Sequence, residues 1–318
     1  MNIESAIAKN DFFAILVLPL EFDAKRSPIS FRFVDGHFVD ATQSTELDIA
    51  PFHVHASNGP QDETPREVHA LTIQSALQAI EHGALEKVVV SCIKHAPRTN
   101  QSLDAIFLSL TEHYPNTLVY ALHHPEFGTW IGATPELLLH KKGQHFHTVS
   151  LAGTQAHLDT RAISWNDKLR REQSLVTDFI VQTITQWGAT DIELNGPFTA
   201  QAGPLAHLKT DIRFSGTSDA KQLIAELQPT PAVCGIPRQA ALNFLNAHST
   251  TQRRLYAGTI GLRFNSGDEL HFVNLRCMQV FDDHFELHVG GGIVAGSNAA
   301  DEWLETEIKA DVLRSIIH

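Results

Sequence analysis

Glu302, Glu305 and Lys309 stand three and four residues apart within GGGIVAGSNAADEWLETEIK, the C-terminal stretch from Gly290 to Lys309. Such spacings make side chains neighbours on a helix surface, so two carboxylates and a cation share one face. Leu304, Ile308, Val312 and Ile316 repeat on the other side as an apolar stripe. The preceding glycines read as a turn whose backbone can approach a ligand. Carboxylate oxygens suit a hard divalent cation such as Mg²⁺, which keeps waters and takes an anionic substrate as a further ligand. A solvated acidic helix face has the same pattern and is the commoner reading of this stretch taken alone.

Other polar residues sit where an ordinary core element would not need them. Lys87 opens the strand pattern KVVVS, and alternation puts it on one face with Val89 and Ser91. A neutral lysine amine can act as a base, a role a guanidinium cannot fill, whereas most lysines at a strand mouth are solvated. Glu136 follows Pro135 at a corner between two strand patterns, where idle glutamates also occur. Glu172 lies on a helical pattern from Trp165 to Trp187 whose Leu175, Val176, Phe179 and Ile180 form the buried stripe. Surface pairing with Arg170 and Arg171 is its alternative. Leu151 to Thr154, LAGT, reads as a strand ending in a small-residue turn whose amides could meet an anion. His207 and Arg276 are each flanked by apolar strand residues. A hydrogen-bonded core histidine is the default for the first, while an arginine in such a strand more often holds a carboxylate. The pairs His53/His55, His123/His124 and His145/His147 read as exposed edge or loop residues rather than a zinc site.

These groups need elements to position them. Period-two patterns mark strands at 13–18, 29–33, 87–93, 118–123, 129–133, 137–140, 146–151, 255–264, 270–280 and 285–289. Helical patterns cover 66–82, 103–113, 165–187, 219–227, 237–247 and 299–317. Turn signals at Lys142-Gly143, at Asn265 to Asp268 and at Asp282-Asp283 join neighbouring strands as hairpins, which predicts an α+β fold rather than a doubly wound parallel sheet. No repeat or linker divides the 318 residues, so one domain is expected, with a short part at 1–65 and a core at 66–318. No nucleotide-binding glycine motif follows a strand. The formal charge of -12, with no basic run, excludes a nucleic-acid surface. Cys92, Cys234 and Cys277 lack zinc spacing and read as packed thiols of a reducing compartment. The N-terminal apolar run lacks a basic lead and is too short to span a bilayer, so no membrane association and a cytoplasmic location are expected.

Taken together, the segments resemble the chorismate-utilising enzymes, and within them the isochorismate-forming branch. The matching stretches occur in family order: KVVVS at Lys87, GATPELLL around Glu136, LAGT at Gly153, KLRREQSLV containing Glu172, and HL at His207. PTPAVCGIP from Pro229, RRLYAGTIG from Arg253, LRC at Arg276, and GGGIVAGS followed by EWLET complete the set. Together they cover about three-quarters of the chain. The resemblance implies antiparallel sheets packed as a sandwich and flanked by helices, with the active site in a deep cleft. It also implies an Mg²⁺-dependent isomerase in which water adds at C2 of chorismate and the C4 hydroxyl leaves.

By position, the resemblance makes Lys87 the general base and Glu136 the general acid, with Glu172, Glu302 and Glu305 as metal ligands. Arg276 would pair with the enolpyruvyl carboxylate. Gly153, Thr154, His207, Tyr256, Gly290, Gly292 and Lys309 would border the substrate. Lys87 stands where the water-using branches carry lysine and anthranilate synthases lack the base. Ala152 stands where the aminodeoxychorismate branch carries a lysine. Salicylate synthase, which adds pyruvate elimination, is separated here by PTPAVCGIP alone, and a silent chorismate-binding homologue would keep the same fold. No glutaminase subunit is implied, and a monomer or weak dimer is expected. Menaquinone or siderophore synthesis as destination depends on downstream enzymes. Three positions depart from the family pattern: Leu169, Gln173 and Gln228, where acidic, histidine and histidine residues are usual.

Overall fold

The computed structural model describes residues 3–8, 13–23, 25–26, 28–34, 37–40, 45–52, 59–156, 163–202, 205–217 and 219–317. Its first part runs α1 (Ile3–Ala8), β1 (Phe13–Val17), β2 (Ile29–Val34), β3 (His37–Asp40), β4 (Glu46–Ala50), α2 (Arg66–Glu81), β5 (Lys87–Pro97) and α3 (Leu103–His113). A meander follows, β6 (Leu118–His124), β7 (Gly128–Thr134), β8 (Leu137–Lys142) and β9 (His145–Ala156), then α4 (Asp167–Trp187) and a long hairpin of β10 (Thr190–Ala202) and β11 (Leu205–Ser215). The chain ends with α5 (Ala220–Leu227), β12 (Gly235–Ile236), α6 (Arg238–His248), β13 (Thr259–Arg263), β14 (Glu269–Val273), β15 (Cys277–Val280), β16 (His284–Val294) and α7 (Ala299–Arg314).

The strands form one antiparallel ladder in the order β10-β11-β9-β8-β14-β13-β4-β3-β2-β1-β6-β7-β15-β16-β5-β12. That ladder folds back on itself. One apolar core joins Leu16 of β1, Tyr120 of β6 and Trp130 of β7 to Leu139 of β8, Phe146 of β9 and Phe272 of β14, which lie beyond β2 to β4 in strand order. Each fully buried side chain of this kind contributes roughly 1.5–3 kcal/mol, which makes the doubled sheet stable as a sandwich. Inside it, the Tyr120 hydroxyl donates to Asn274 Oδ1 at 2.8 Å. A second core packs α3 and α7 on the outer side through Ile106, Leu110, Val312 and Leu313. The predicted α+β class and sandwich hold.

Helix ends follow their capping residues. Asn166 accepts from the Leu169 amide at 2.9 Å to start α4, and Gly188, at φ +98°, stops it. Asn298 caps α7 by accepting from the Asp301 amide, and Asp301 and Glu302 sit in its first turn, where the helix dipole favours acids.

Several local expectations are corrected. Gly290 to Gly292 form no turn; they continue β16 to Val294. On α7 the buried face is Glu302, Thr306, Ala310, Val312 and Leu313, and Leu304 is 57% exposed, because the helix turns its polar side toward β16. LAGT stays inside β9, and Gly153 at φ +74° is the extra residue of a bulge opposite His207 and Leu208. The predicted strand 270–280 is two strands, broken where Arg276 adopts φ +48°. The predicted strand 255–264 begins only at Thr259, leaving Tyr256 in a turn. His124 is buried rather than exposed, and its Nδ1 accepts from the Glu126 amide. His123 bonds Thr129 and His147 bonds Asp211, while His145 is exposed as expected. His53 and His55 lie outside the described residues. The three cysteines are buried and free.

Candidate active site

Lys87, the first residue of β5, is 0% exposed, and its Nζ lies 3.1 Å from Glu172 Oε1 on α4. Burial of an amine without water requires such a partner. On β16, Gly292, the ladder partner of Val89, makes room: an added Cβ would stand 2.2 Å from Glu172 Oε1 and 2.9 Å from Lys87 Cε. No side chain fits there, so glycine is what allows the ion pair to cross the strand. Glu172 faces a cavity of about 90 Å³, whose wall also includes Val89, Glu136, Gly153, Thr154, His207, Tyr256, Arg276, Gly290, Gly292 and Lys309. Lys87 stands one layer behind, covered by Glu172 and Gly292.

Glu136 occupies the corner between β7 and β8 and is 5% exposed. Burial pushes its carboxyl up to about 7, against the pull of Lys87, Lys309 and Arg276, in that order. It therefore keeps its proton close to neutrality. The break between β14 and β15 swings Arg276 into the same cavity. Left-handed backbone at a residue with a Cβ costs about 1–2 kcal/mol, so this placement is one the surrounding structure imposes. Burial lowers the Arg276 pKa to about 10, with Tyr114 and Glu136 opposing. Its Nη2 donates to His207 Nε2 at 2.7 Å. A guanidinium never accepts, so His207 Nε2 carries the lone pair and its Nδ1–H points to Thr154 Oγ1, 3.2 Å away. Burial, and then the charges of Arg276 and Lys309, keep this histidine well below its ordinary pKa and neutral. Burial pushes the Tyr256 phenol up to about 12.

Glu302 and Glu305 of α7 each hold a lysine. Lys309 Nζ lies 2.7 Å from Glu305 Oε1 and donates to the Gly290 carbonyl at 2.8 Å. Lys168 Nζ lies 2.6 Å from Glu302 Oε1. Glu302 Oε2 is buried and accepts no hydrogen bond, and burial together with the Glu305 charge pushes this carboxyl up. Burial disfavours charge on Lys168, yet Glu302, Glu305 and Glu172 together raise its pKa. Lys309 is held above the ordinary value in the same way, burial being outweighed by Glu305, Tyr256 and Glu172. The three carboxylates thus share one electrostatic neighbourhood. Among the described residues they do not close to within 4.8 Å of one another as a ligand set, because each is drawn toward its own lysine. Three hard oxygen donors, one of them buried without a partner, nevertheless suit a hard divalent cation.

Residues 37–318 match the family described as chorismate binding enzyme. This chain belongs to that family. As a chorismate binding enzyme it is 30% identical over 247 residues to the isochorismate synthase EntC of Escherichia coli K12, a match covering 73% of this chain and 62% of EntC. The chain therefore matches less than two thirds of that relative. It is 28% identical over 296 residues to the isochorismate synthase MenF of the same organism, covering 87% of this chain and 68% of MenF. Its fold superposes on DhbC from Bacillus anthracis with a TM-score of 0.75 at 22% identity, over 99% of this chain and 86% of that one. It also superposes on anthranilate synthase component I from Streptococcus pneumoniae TIGR4, with a TM-score of 0.67 at 21% identity over 84% and 59% of the two chains. Relatives named for different products share this architecture, so the choice of reaction rests on side chains.

Two functional positions escaped the sequence reading. Lys168 precedes Glu172 by four residues, the helical spacing that should have marked it as a neighbour. Arg253 is buried behind the cavity and donates to the Val233 and Val89 carbonyls at 2.5 Å each, fixing the wall; nothing in its local pattern distinguishes it from a surface arginine. The three departures also find places. Gln173 Nε2 lies 2.9 Å from each of the Ser150, Thr177 and Thr210 hydroxyls and donates its two hydrogens among them. Leu169 packs against Gly153, whose added Cβ would lie 3.2 Å from its carbonyl oxygen. The Gln228 carbonyl accepts from Arg238 at 3.4 Å. No helix among the described residues is long and apolar enough to cross a membrane.

Proposed function

We propose that this chain is an isochorismate synthase, acting on chorismate in the cytoplasm by adding water at C2 as the C4 hydroxyl departs. The observation that carries this reading is Glu136, a buried carboxyl raised to about 7 on the wall of a cavity that also presents Arg276, Lys309 and Glu172. A protonated carboxyl gives its proton to the departing C4 oxygen, which leaves as water. Lys87 takes the proton from the water attacking C2, for which its amine must be unprotonated. Lys87 lies behind Glu172 rather than on the cavity wall, so this role requires the Glu172 side chain to move aside and admit the water. Arg276 presents a planar fork suited to the enolpyruvyl carboxylate, with His207 holding the guanidinium in place. Thr154, Tyr256 and the backbone at Gly153, Gly290 and Gly292 bound the ring.

Glu172, Glu302 and Glu305 would hold Mg²⁺, with Lys309 beside them. When bound, the ion would neutralise the ring carboxylate and fix the substrate among these acids. The names of EntC and MenF support the product, and Ala152 in place of a lysine supports water as nucleophile. Incubating purified protein with chorismate and Mg²⁺, with chromatographic separation, tests the reading. Isochorismate is the expected product. Accumulation of salicylate with pyruvate would reassign the chain to that branch, and unchanged chorismate would reduce it to a binding protein.

A further inference from the structure

The β5–β16 pair carries a second cluster that none of these roles uses. His95 of β5 lies directly across the ladder from Glu286 of β16, and His284 stands two residues before Glu286 on the same face. One ligand atom from each of His95, His284 and Glu286 falls within 4.8 Å of the others, the only such group among the described residues. Glu286 is 0% exposed, and its Oε2 accepts no hydrogen bond. His284 Nε2 is likewise buried without a hydrogen-bond partner and lies 3.8 Å from Glu286 Oε1.

Outer partners fix both rings. His284 Nδ1 is 2.6 Å from Asp283 Oδ1, and His95 Nε2 is 2.9 Å from the Gln61 carbonyl. Both partners are acceptors, so the protons sit on those nitrogens and the opposite nitrogen of each ring keeps its lone pair. Acceptors behind the imidazoles are how metal-binding histidines are oriented. The remaining contacts do not satisfy the carboxylate. Glu286 Oε1 accepts from the Gln61 amide, and Oε2 stands 3.9 Å from His288 Nε2 and 3.5 Å from Arg254, which donates instead to Gln279 and Gly59.

We propose that His95, His284 and Glu286 bind a borderline divalent transition ion, zinc, at a site separate from the carboxylates of the cleft. Two imidazoles and one carboxylate suit zinc, whereas three carboxylates suit magnesium. Both histidines are partly exposed, which provides an entry path. The ion would pin the far end of the β5–β16 ladder to the segment around Gln61.

Calorimetric titration of untagged protein with Zn²⁺ in excess Mg²⁺, followed by metal analysis after dialysis, tests the site. One tightly held zinc per chain is expected. His284→Ala and His95→Ala should each weaken it at least about a hundredfold, and Asp283→Ala, which removes only an outer partner, about tenfold. Glu302→Gln should leave it unchanged. Circular dichroism checks folding, and if His284→Ala does not fold, His95→Gln at its partly exposed position carries the same test. Absence of saturable zinc binding, survival of binding in both histidine variants, or its loss in Glu302→Gln would each overturn the proposal.

Discussion

The two ends of the β5–β16 ladder make polar sites by opposite means. At the cleft end, Val89 pairs with Gly292 and Ser91 with Gly290, so the strand withholds side chains and groups from α4, α7 and the Tyr256 turn occupy the space. At the far end, Ile93 pairs with His288 and His95 with Glu286, and the strands themselves supply the ligands. One continuous register serves both. The difference teaches that a glycine in a strand can be as informative as a histidine, because it reports what must come through from elsewhere.

If the cleft end is chemical machinery, the largest effects belong there. Glu136→Gln and Lys87→Ala should each lower turnover at least about a hundredfold in the chromatographic assay. Lys87→Ala should also lower the melting temperature, because it strands the largely buried Glu172. Near-normal turnover in either variant would remove that residue from its role. Gly292→Ala sharpens the comparison further: it should cost at least about tenfold in turnover and about 1–3 kcal/mol in stability, since the Lys87–Glu172 pair has to move. Denaturant titration that finds it neutral would show that the missing side chain is not what builds this end.

Proton linkage gives a smaller, signed effect. Glu136 binds its proton more tightly folded, at about 7, than at its ordinary value of 4.5. Its contribution to stability is therefore most favourable below about 4.5 and is lost as pH rises toward 7, by roughly 3 kcal/mol at most. Stability against pH should flatten over that window in Glu136→Gln. In the wild-type enzyme, turnover should fall above about 7 as the acid form is lost. The smallest effect is expected one residue from the metal-binding candidate: Arg171→Ala breaks only an exposed pair with Glu86 and should change stability by less than about 0.5 kcal/mol. A larger loss would mean that the helix side facing solvent contributes to the site.

Much of this arrangement was legible in residue order. Hairpin turns, helix caps and strand alternation are local, and most elements between Arg66 and Arg314 lie where periodicity puts them. The exceptions have physical causes. The β10–β11 hairpin contains Asn195-Gly196-Pro197, which looks like a turn but is an irregularity inside a strand held by β11. The run from Leu270 to Val280 looks like one strand because most of its residues are apolar; Arg276, at φ +48°, breaks it. The candidate cleft residues are legible through family resemblance; read locally, Lys87 and Glu172 fit surface charges as well as a site. His95 and Glu286 were invisible as a pair, since no spacing along the chain connects them.

Gln173 has a consequence for anyone re-engineering the enzyme. Its amide is the hub of three hydroxyls, Ser150 on β9, Thr177 on α4 and Thr210 on β11, directly beside Glu172. Transplanting a histidine into this position would take this partner chiefly from the Thr210 hydroxyl, because Ser150 and Thr177 still bond each other and Thr177 still reaches the residue 173 carbonyl. The swap is therefore epistatic with position 210 above all, and rewriting that one neighbour in the same step is what makes it tolerable.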